Sequence, residues 1–243
     1  MKAVILAAGI ASRLRPLTDH TPKCLLKIGD KCLLERAIEG ILANGIREIV
    51  LVTGYLQEQI VSFVKNKFPD IEVSFIYNEK YASTNNIYSL WLAKEKVLNQ
   101  EILLLDSDIL FDPEVVRAVL QSPEANSLAL DVHPLTEEEM KVVPDAYNRV
   151  KAISKTCSIE EAAGESIGIE KMSADYINSL YKELDRMVLE EGLVGIFYEA
   201  AFERLIDCGK TFGIVPTQGL FSMELDTVED FTAAKHKIPT KLL

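Results

Sequence analysis

Met1-Lys2-Ala3-Val4-Ile5-Leu6-Ala7-Ala8-Gly9 opens the chain, followed by Ile10-Ala11-Ser12-Arg13-Leu14-Arg15-Pro16-Leu17-Thr18 and, two residues on, by Thr21-Pro22-Lys23-Cys24-Leu25-Leu26-Lys27-Ile28. Residues 3–6 form a short apolar run of the kind buried on both faces of a parallel sheet, and the small residues Ala7, Ala8 and Gly9 end it where a backbone must approach something closely. The segment that follows carries Arg13, Arg15 and Lys23, with Pro16 and Pro22 stiffening its path. Cations and open amides beyond the C-terminal end of a buried strand suit a polyphosphate, because backbone N–H groups and fixed charge together neutralise it. The alternative is a surface loop whose basic residues are simply solvated.

Working outward, Gly29-Asp30 marks a turn, and Leu34, Ala37, Ile38, Ile41 and Leu42 make a helical stripe closed by Asn44-Gly45. Residues 48–53 predict a second buried strand, Ile60, Phe63, Val64 and Phe68 a second helix, and 71–77 a third strand. Strands alternating with helices predict an α/β fold, a mostly parallel sheet with helices on both faces and ligands bound beyond the strands' C-terminal ends. Another apolar strand runs into Asp106 and Asp108, which share a face because they are two apart. Carboxylates there, opposite a phosphate loop, are where a hard cation is held. Asp112 can cap the helix that starts near Pro113.

After a strand at 127–132 the pattern changes. Three extended pieces, 140–143, 150–154 and 165–170, predict a β-rich insertion over 132–172 that lies above the active-site end of the sheet as a lid. A helix follows at 173–189, capped by Ser173, then another at 198–208, and extended segments at 212–215 and 222–225. Asp226 reads locally as the N-cap of the last helix. The polar stretch 77–86 precedes a helix with the apolar stripe Ile87, Leu90, Trp91, Val97 and Leu98, on which Trp91 reads as core. Asn85 or Asn86 can cap that helix, or present its amide to the edge of a base.

The chain's 243 residues, 48% of them hydrophobic, suffice for one large domain, expected to span 1–243. With no apolar run of about eighteen residues and no export-signal pattern, neither a membrane span nor export is indicated, and the cytoplasm is the default. Cys24, Cys32, Cys157 and Cys208 are scattered without a C-x-x-C pair, which points to small core residues rather than zinc or disulfides. With 37 acidic against 26 basic side chains and a net charge of -11, general nucleic-acid binding is disfavoured, and any polyanion must meet a local basic pocket. Neither the Walker pattern G-x-x-x-x-G-K-[ST] nor G-x-G-x-x-G occurs.

The pattern A-V-I-L-A-A-G-x-x-S-R-L-x-P-L-T-x-x-x-P-K, residues 3–23, resembles the signature of the nucleotidyltransferases that activate sugar phosphates and small phospho-alcohols. The resemblance implies a Rossmann-like, nucleotide-diphospho-sugar transferase fold, with 1–131 as nucleotide-binding half and 132–243 as acceptor-binding half. It also implies that Leu6, Ala7, Ala8 and Gly9 hold the nucleoside, that Arg13 grips the triphosphate and that Lys23 lies beside the reacting phosphates. The commonest family form has a second Gly where this chain has Ala11. Residues 78–91, N-E-K-Y-A-S-T-N-N-I-Y-S-L-W, are similar to the corresponding region of bacterial phosphocholine cytidylyltransferases and of relatives acting on aminoethylphosphonate or inositol phosphate. The Gln and Gly-Thr pair of sugar-phosphate members are absent, so the resemblance implies CTP as donor, with Tyr81, Asn85 and Asn86 near the cytosine.

By the same resemblance Asp108 and Asp226 are ligands of Mg2+, with Asp106 as an accessory, and Asp226-Thr227-Val228-Glu229-Asp230 matches the family's D-[ST]-x-x-[DE] context. Lys155 matches the lysine that sugar-phosphate relatives place on the acceptor's phosphate; its alternative is a solvated edge lysine that discourages strand pairing. Tyr198 and Glu199, at a helix start, are candidates to face a cationic acceptor, and Glu165 is another; a carboxylate favouring the helix's positive end is the plainer account of Glu199. The implied reaction joins CTP to a small phosphorylated alcohol, amine or phosphonate with release of pyrophosphate, and yields an activated precursor of cell-surface glycoconjugates or phospholipids. The alternatives are a sugar-1-phosphate nucleotidyltransferase and, from another class, a non-catalytic nucleotide-sensing domain. The implied partners are CTP and the acceptor, and a homodimer is left open.

Overall fold

The computed structural model describes residues 1–242. In chain order its first half contains β1 (Lys2–Ala7), the short strands β2 (Lys27–Ile28) and β3 (Lys31–Cys32), α1 (Leu33–Ala43), β4 (Glu48–Thr53), α2 (Gln57–Lys67), β5 (Glu72–Tyr77), α3 (Asn86–Leu92) and α4 (Lys94–Val97). There follow β6 (Ile102–Asp106), β7 (Ile109–Phe111), α5 (Glu114–Gln121), β8 (Ser127–Asp131), β9 (Lys141–Pro144), β10 (Val150–Ser154) and β11 (Gly164–Met172). The chain closes with α6 (Ala174–Asp185), α7 (Glu199–Asp207), β12 (Gly213–Pro216), β13 (Ser222–Glu224) and α8 (Val228–Lys237).

β1 lies inside a nine-stranded sheet, parallel to β4 on one side and β6 on the other, with β5 parallel to β4 beyond. Its alternating residues feed two different cores. Val4 and Leu6 pack with residues of α3, α6 and α7, whereas Ala3, Ile5 and Ala7 pack with residues of α1, α2 and α5. From Ala3 on neither face meets water, which is why the strand is apolar from there to its end.

The segment expected as a lid is β-rich, but its strands are hydrogen-bonded into the sheet. β11 runs antiparallel to β6, β8 and β9, β10 pairs with β9, and β12 runs parallel to β8. What borders the cavity from this segment is therefore its connecting residues and bends, including Glu138, Met140 and Lys155. β11 carries the segment into the sheet, pairing with β9 through Gly164 and Glu165 and with β6 through Ile169 to Met172. It bends at Gly168, which has φ +66°, and the register with β8 shifts between Ser166 and Glu170. A Cβ at Gly168 would lie 2.6 Å from Asp106 Oδ2. Gly168→Ala should therefore cost about 1–2 kcal/mol for the left-handed backbone alone and displace the Asp106 carboxyl as well. A urea midpoint unchanged from wild type would contradict this.

A third core joins the two ends of the chain. Leu14 and Ile28 from the opening segment pack with Leu110 of β7, Leu225, and Phe231, Ala234 and Ile238 from the last helix and its end. β7, absent from the sequence reading, pairs antiparallel with β13, and the Leu225 N–H donates to Asp108 O at 3.1 Å.

Three local expectations are corrected. The N-cap of α8 is Thr227, not Asp226: Thr227 Oγ1 accepts the Asp230 N–H while the Asp230 carboxylate accepts the Thr227 N–H. This reciprocal box needs no help from Asp226 and leaves its carboxylate available. The helix expected to carry the stripe Ile87, Leu90, Trp91, Val97 and Leu98 breaks at Ala93 into α3 and α4. Cys24 and Cys32 are buried as core residues, but Cys157 is half-buried and Cys208 exposed. Among the described residues, no helix is long and apolar enough to cross a membrane.

Candidate active site

β1, β4, β5 and β6 end at the same edge of the sheet, and a cavity of about 300 Å³ lies beyond them. Every site residue expected from the sequence lines it except Tyr198. Leu6, Ala7, Ala8 and Gly9 form one wall. The Tyr55 N–H holds Ala8 O at 3.1 Å, and Gly54 allows the approach, since a Cβ there would lie 2.5 Å from that oxygen. Ala11, where the commonest family form has Gly, takes the left-handed backbone a Gly would favour, with φ 53°.

The two ends of the chain meet at the same cavity. Lys23 Nζ donates to Asp108 Oδ2 at 3.0 Å and to Asp226 Oδ1 at 2.6 Å, and Arg13 pairs with the other oxygen of Asp226. The geometry follows from the third core, which seats α8 and β13 against the opening segment. Burial of Lys23 favours its neutral form, but Asp108 and Asp226 outweigh it and raise the ammonium's pKa. For Asp226, burial acts upward, yet Lys23 and Arg13 hold the carboxyl below its usual range.

Glu224 was not singled out in the sequence. It brings a third carboxylate to the same point, and one oxygen each from Asp108, Glu224 and Asp226 lie within 4.8 Å of one another. Part of Glu224 reaches solvent, but its carboxyl is pushed up to about 8, first by loss of hydration and then by Asp108 and Asp226. The signal was its period-two spacing from Asp226 in an extended segment, the same argument that linked Asp106 to Asp108.

Asn78, Tyr81, Thr84, Asn85, Asn86 and Ser89 line the cavity beside the opening turn. Asn85 caps α3, its Oδ1 accepting the Asn86 N–H at 2.7 Å. Trp91 is partly buried and donates from Nε1 to Asp185 at 3.0 Å, away from the cavity. At the other end, Lys155 Nζ lies 5.1 Å from the Phe197 ring centre and 3.9 Å from Glu138. Glu165 pairs with His133 at 3.0 Å. Glu199 is 6% exposed, its Oε2 has no hydrogen-bond partner, and burial pushes the carboxyl up to about 7.

Tyr198 does not reach the cavity. It is fully buried, its ring packed on Phe202, and it donates its hydroxyl to Asp106 Oδ2 at 3.0 Å. Asp106 is thus held from behind, and burial, followed by Asp108, Glu199 and Glu170, raises its pKa well above the usual carboxylate range.

Fold and site together describe an α/β protein in which Arg13 and Lys23 meet grouped carboxylates at the C-terminal edge of parallel strands. Residues 2–140 match the family described as Nucleotidyl transferase, and the chain belongs to that family. The choline-phosphate cytidylyltransferase of Streptococcus pneumoniae is 44% identical over 107 residues, a match that spans 44% of this chain and 45% of that protein. The CTP:phosphoglutamine cytidylyltransferase of Campylobacter jejuni is 30% identical over 208 residues, 78% of this chain and 81% of that one. Among solved structures, the CTP:phosphocholine cytidylyltransferase from Streptococcus pneumoniae superimposes with a TM-score of 0.79 at 27% identity, over 97% of each chain. The inositol-1-phosphate CTP transferase from T. maritima reaches 0.79 at 20% identity, over 99% of this chain and 92% of that one, which is a likeness of fold.

Proposed function

We propose that this chain transfers CMP from CTP to a small phosphorylated alcohol or amine and releases pyrophosphate. The observation that carries the reading is the meeting of Lys23, Arg13, Asp108 and Asp226 at one point beside the A-A-G turn. The cytidylyltransferases of Streptococcus pneumoniae and Campylobacter jejuni to which the chain is similar support cytidine as the base. Asp108, Asp226 and Glu224 fit Mg2+, because a hard divalent ion takes oxygen donors and the three carboxylates offer one each within reach of a single ion. When bound, such an ion supplies charge that offsets the repulsion between the triphosphate and the acceptor's phosphate.

The chain's own residues then have distinct tasks. An acceptor phosphate has a second pKa of about 6 and is already anionic at neutral pH, so the attacking oxygen needs no general base. Its new bond to the α-phosphorus forms as the bond to the β-phosphoryl oxygen breaks, and the electron pair leaves with pyrophosphate. Arg13 and Lys23 offset charge on that leaving group, while Lys155 orients the attacking phosphate from the opposite wall. Glu165 and Glu199 border the remainder of the acceptor.

Pyrophosphate release measured with each NTP against phosphocholine, phosphoethanolamine, aminoethylphosphonate, inositol 1-phosphate and glucose 1-phosphate tests this reading. Turnover with CTP and one of the first four is expected. Turnover confined to glucose 1-phosphate would replace it by a sugar-phosphate nucleotidyltransferase. Tight CTP binding with no pyrophosphate from any acceptor would point instead to a nucleotide sensor.

A further inference from the structure

We propose that Asn86 is a positioning residue that sets the acceptor wall, rather than a reader of the base. Its cap duty is already taken by Asn85, so its side chain is free for another task. Asn86 Oδ1 accepts the backbone N–H of Tyr198 at 2.9 Å, and the Asn85 N–H donates to Val194 O at 2.8 Å. A backbone N–H can only donate, which fixes the amide's orientation with Oδ1 towards Tyr198. These two bonds tie the turn before α3 to the segment leading into α7.

Tyr198 is pinned at both ends, by Asn86 at its N–H and by Asp106 at its hydroxyl. Its neighbours Phe197 and Glu199 are cavity lining, and Phe197 faces Lys155. Shifting the Tyr198 backbone therefore moves both lining residues, while Leu6 to Gly9 and Lys23 on the opposite side stay where β1 and the third core hold them. Loss of the Asn86 acceptor also leaves the Tyr198 N–H at the buried start of α7 without a partner.

The inference rests on the reading that these walls serve nucleotide and acceptor. Its test compares N86A with N86D, which keeps an Oδ acceptor for Tyr198 but loses the amide's donors. In N86A the KM for the panel acceptor that wild type turns over should rise about tenfold, with the CTP KM within about twofold. Hydrogen exchange over 194–200 should be faster in N86A. In N86D the exchange should stay near wild type, and the ratio of kcat/KM for CTP over UTP should be unchanged; a ratio is used because added negative charge weakens every anionic ligand of the cavity. A changed CTP:UTP ratio in N86D would overturn the proposal, as would N86A with wild-type acceptor KM and exchange. Should N86A not fold, N86D decides through that ratio and its exchange. Absence of turnover in wild type itself sinks the proposed function instead, and the exchange comparison remains readable without any ligand.

Discussion

Replacing Lys23 by methionine is expected to lower kcat/KM by about a thousandfold, the scale on which a charge aimed at a developing anion contributes. The same variant should be less stable by about 3 kcal/mol without divalent ions, because it breaks a largely buried ion-pair group and leaves its partners uncompensated. Lys23 Nζ is only 11% exposed as a side chain and lies between Asp108 and Asp226, with Glu224 beside them. Removing it sets Asp108 and Asp226 against one another beside Glu224, with Arg13 alone on Asp226. Millimolar Mg2+ should return most of the lost stability in Lys23→Met and add much less to wild type, where Lys23 already serves those oxygens. Urea unfolding with and without Mg2+ reads the second effect separately from activity. A methionine variant that melts like wild type and ignores Mg2+ would show that these carboxylates are not the cation site.

The second large effect concerns pH. Wild-type stability should fall as pH rises from about 4.5 to about 7, and Glu199→Gln should remove a distinct part of that fall. Burial pushes the Glu199 carboxyl from its ordinary 4.5 up to about 7, with Lys155 acting weakly in the opposite direction. Below 4.5 both folded and unfolded chains carry the proton, and the stabilising contribution is fully present. As pH climbs, the unfolded chain ionises first, so the contribution is lost by the time pH passes the folded value. A change from 4.5 to about 7 corresponds to about 3 kcal/mol. At about 2–4 °C per kcal/mol for a chain of this size, the variant's melting temperature should vary by roughly 6–12 °C less than wild type across that window. Asp106 and Glu170 are pushed in the same direction, so the wild-type slope is steeper than Glu199 alone provides. Parallel curves for wild type and variant would mean that the Glu199 carboxyl is hydrated in the folded protein.

Much of the parallel half of the fold was legible because its periodicities are local. α1 runs over Leu33–Ala43 and β4 over Glu48–Thr53, matching the apolar stripe and the buried run, and the A-A-G turn ends β1. The antiparallel half was harder to read. Segments 140–143, 150–154 and 165–170 were seen as extended, but an alternating pattern does not say which strand is a neighbour, and a lid and a sheet extension share it. β7 is three residues long and is held by β13 more than a hundred positions later, too short a run to announce itself.

At the site, residue type was informative and orientation was not. Tyr198 and Glu199 are adjacent in sequence, yet one faces Asp106 from inside the core and the other borders the cavity. Asn85 and Asn86 looked interchangeable, whereas one caps α3 and the other holds Tyr198. Local sequence makes Asp226 a cap, whereas in the fold Thr227 and Asp230 share that role between them.

By itself, the order of residues determined the parallel strands, the cationic segment after β1 and the carboxylates that close β6, since each is decided by neighbours within a few positions. Only the folded chain decided that Lys23 would lie between Asp108 and Asp226, that Glu224 would join them, and that Tyr198 would turn inward. The first two depend on how Leu14, Ile28, Leu225 and Phe231 pack together, and the third on the core that Tyr198 shares with Phe202. That packing sums many weak contacts between distant segments, and no short stretch of sequence contains it.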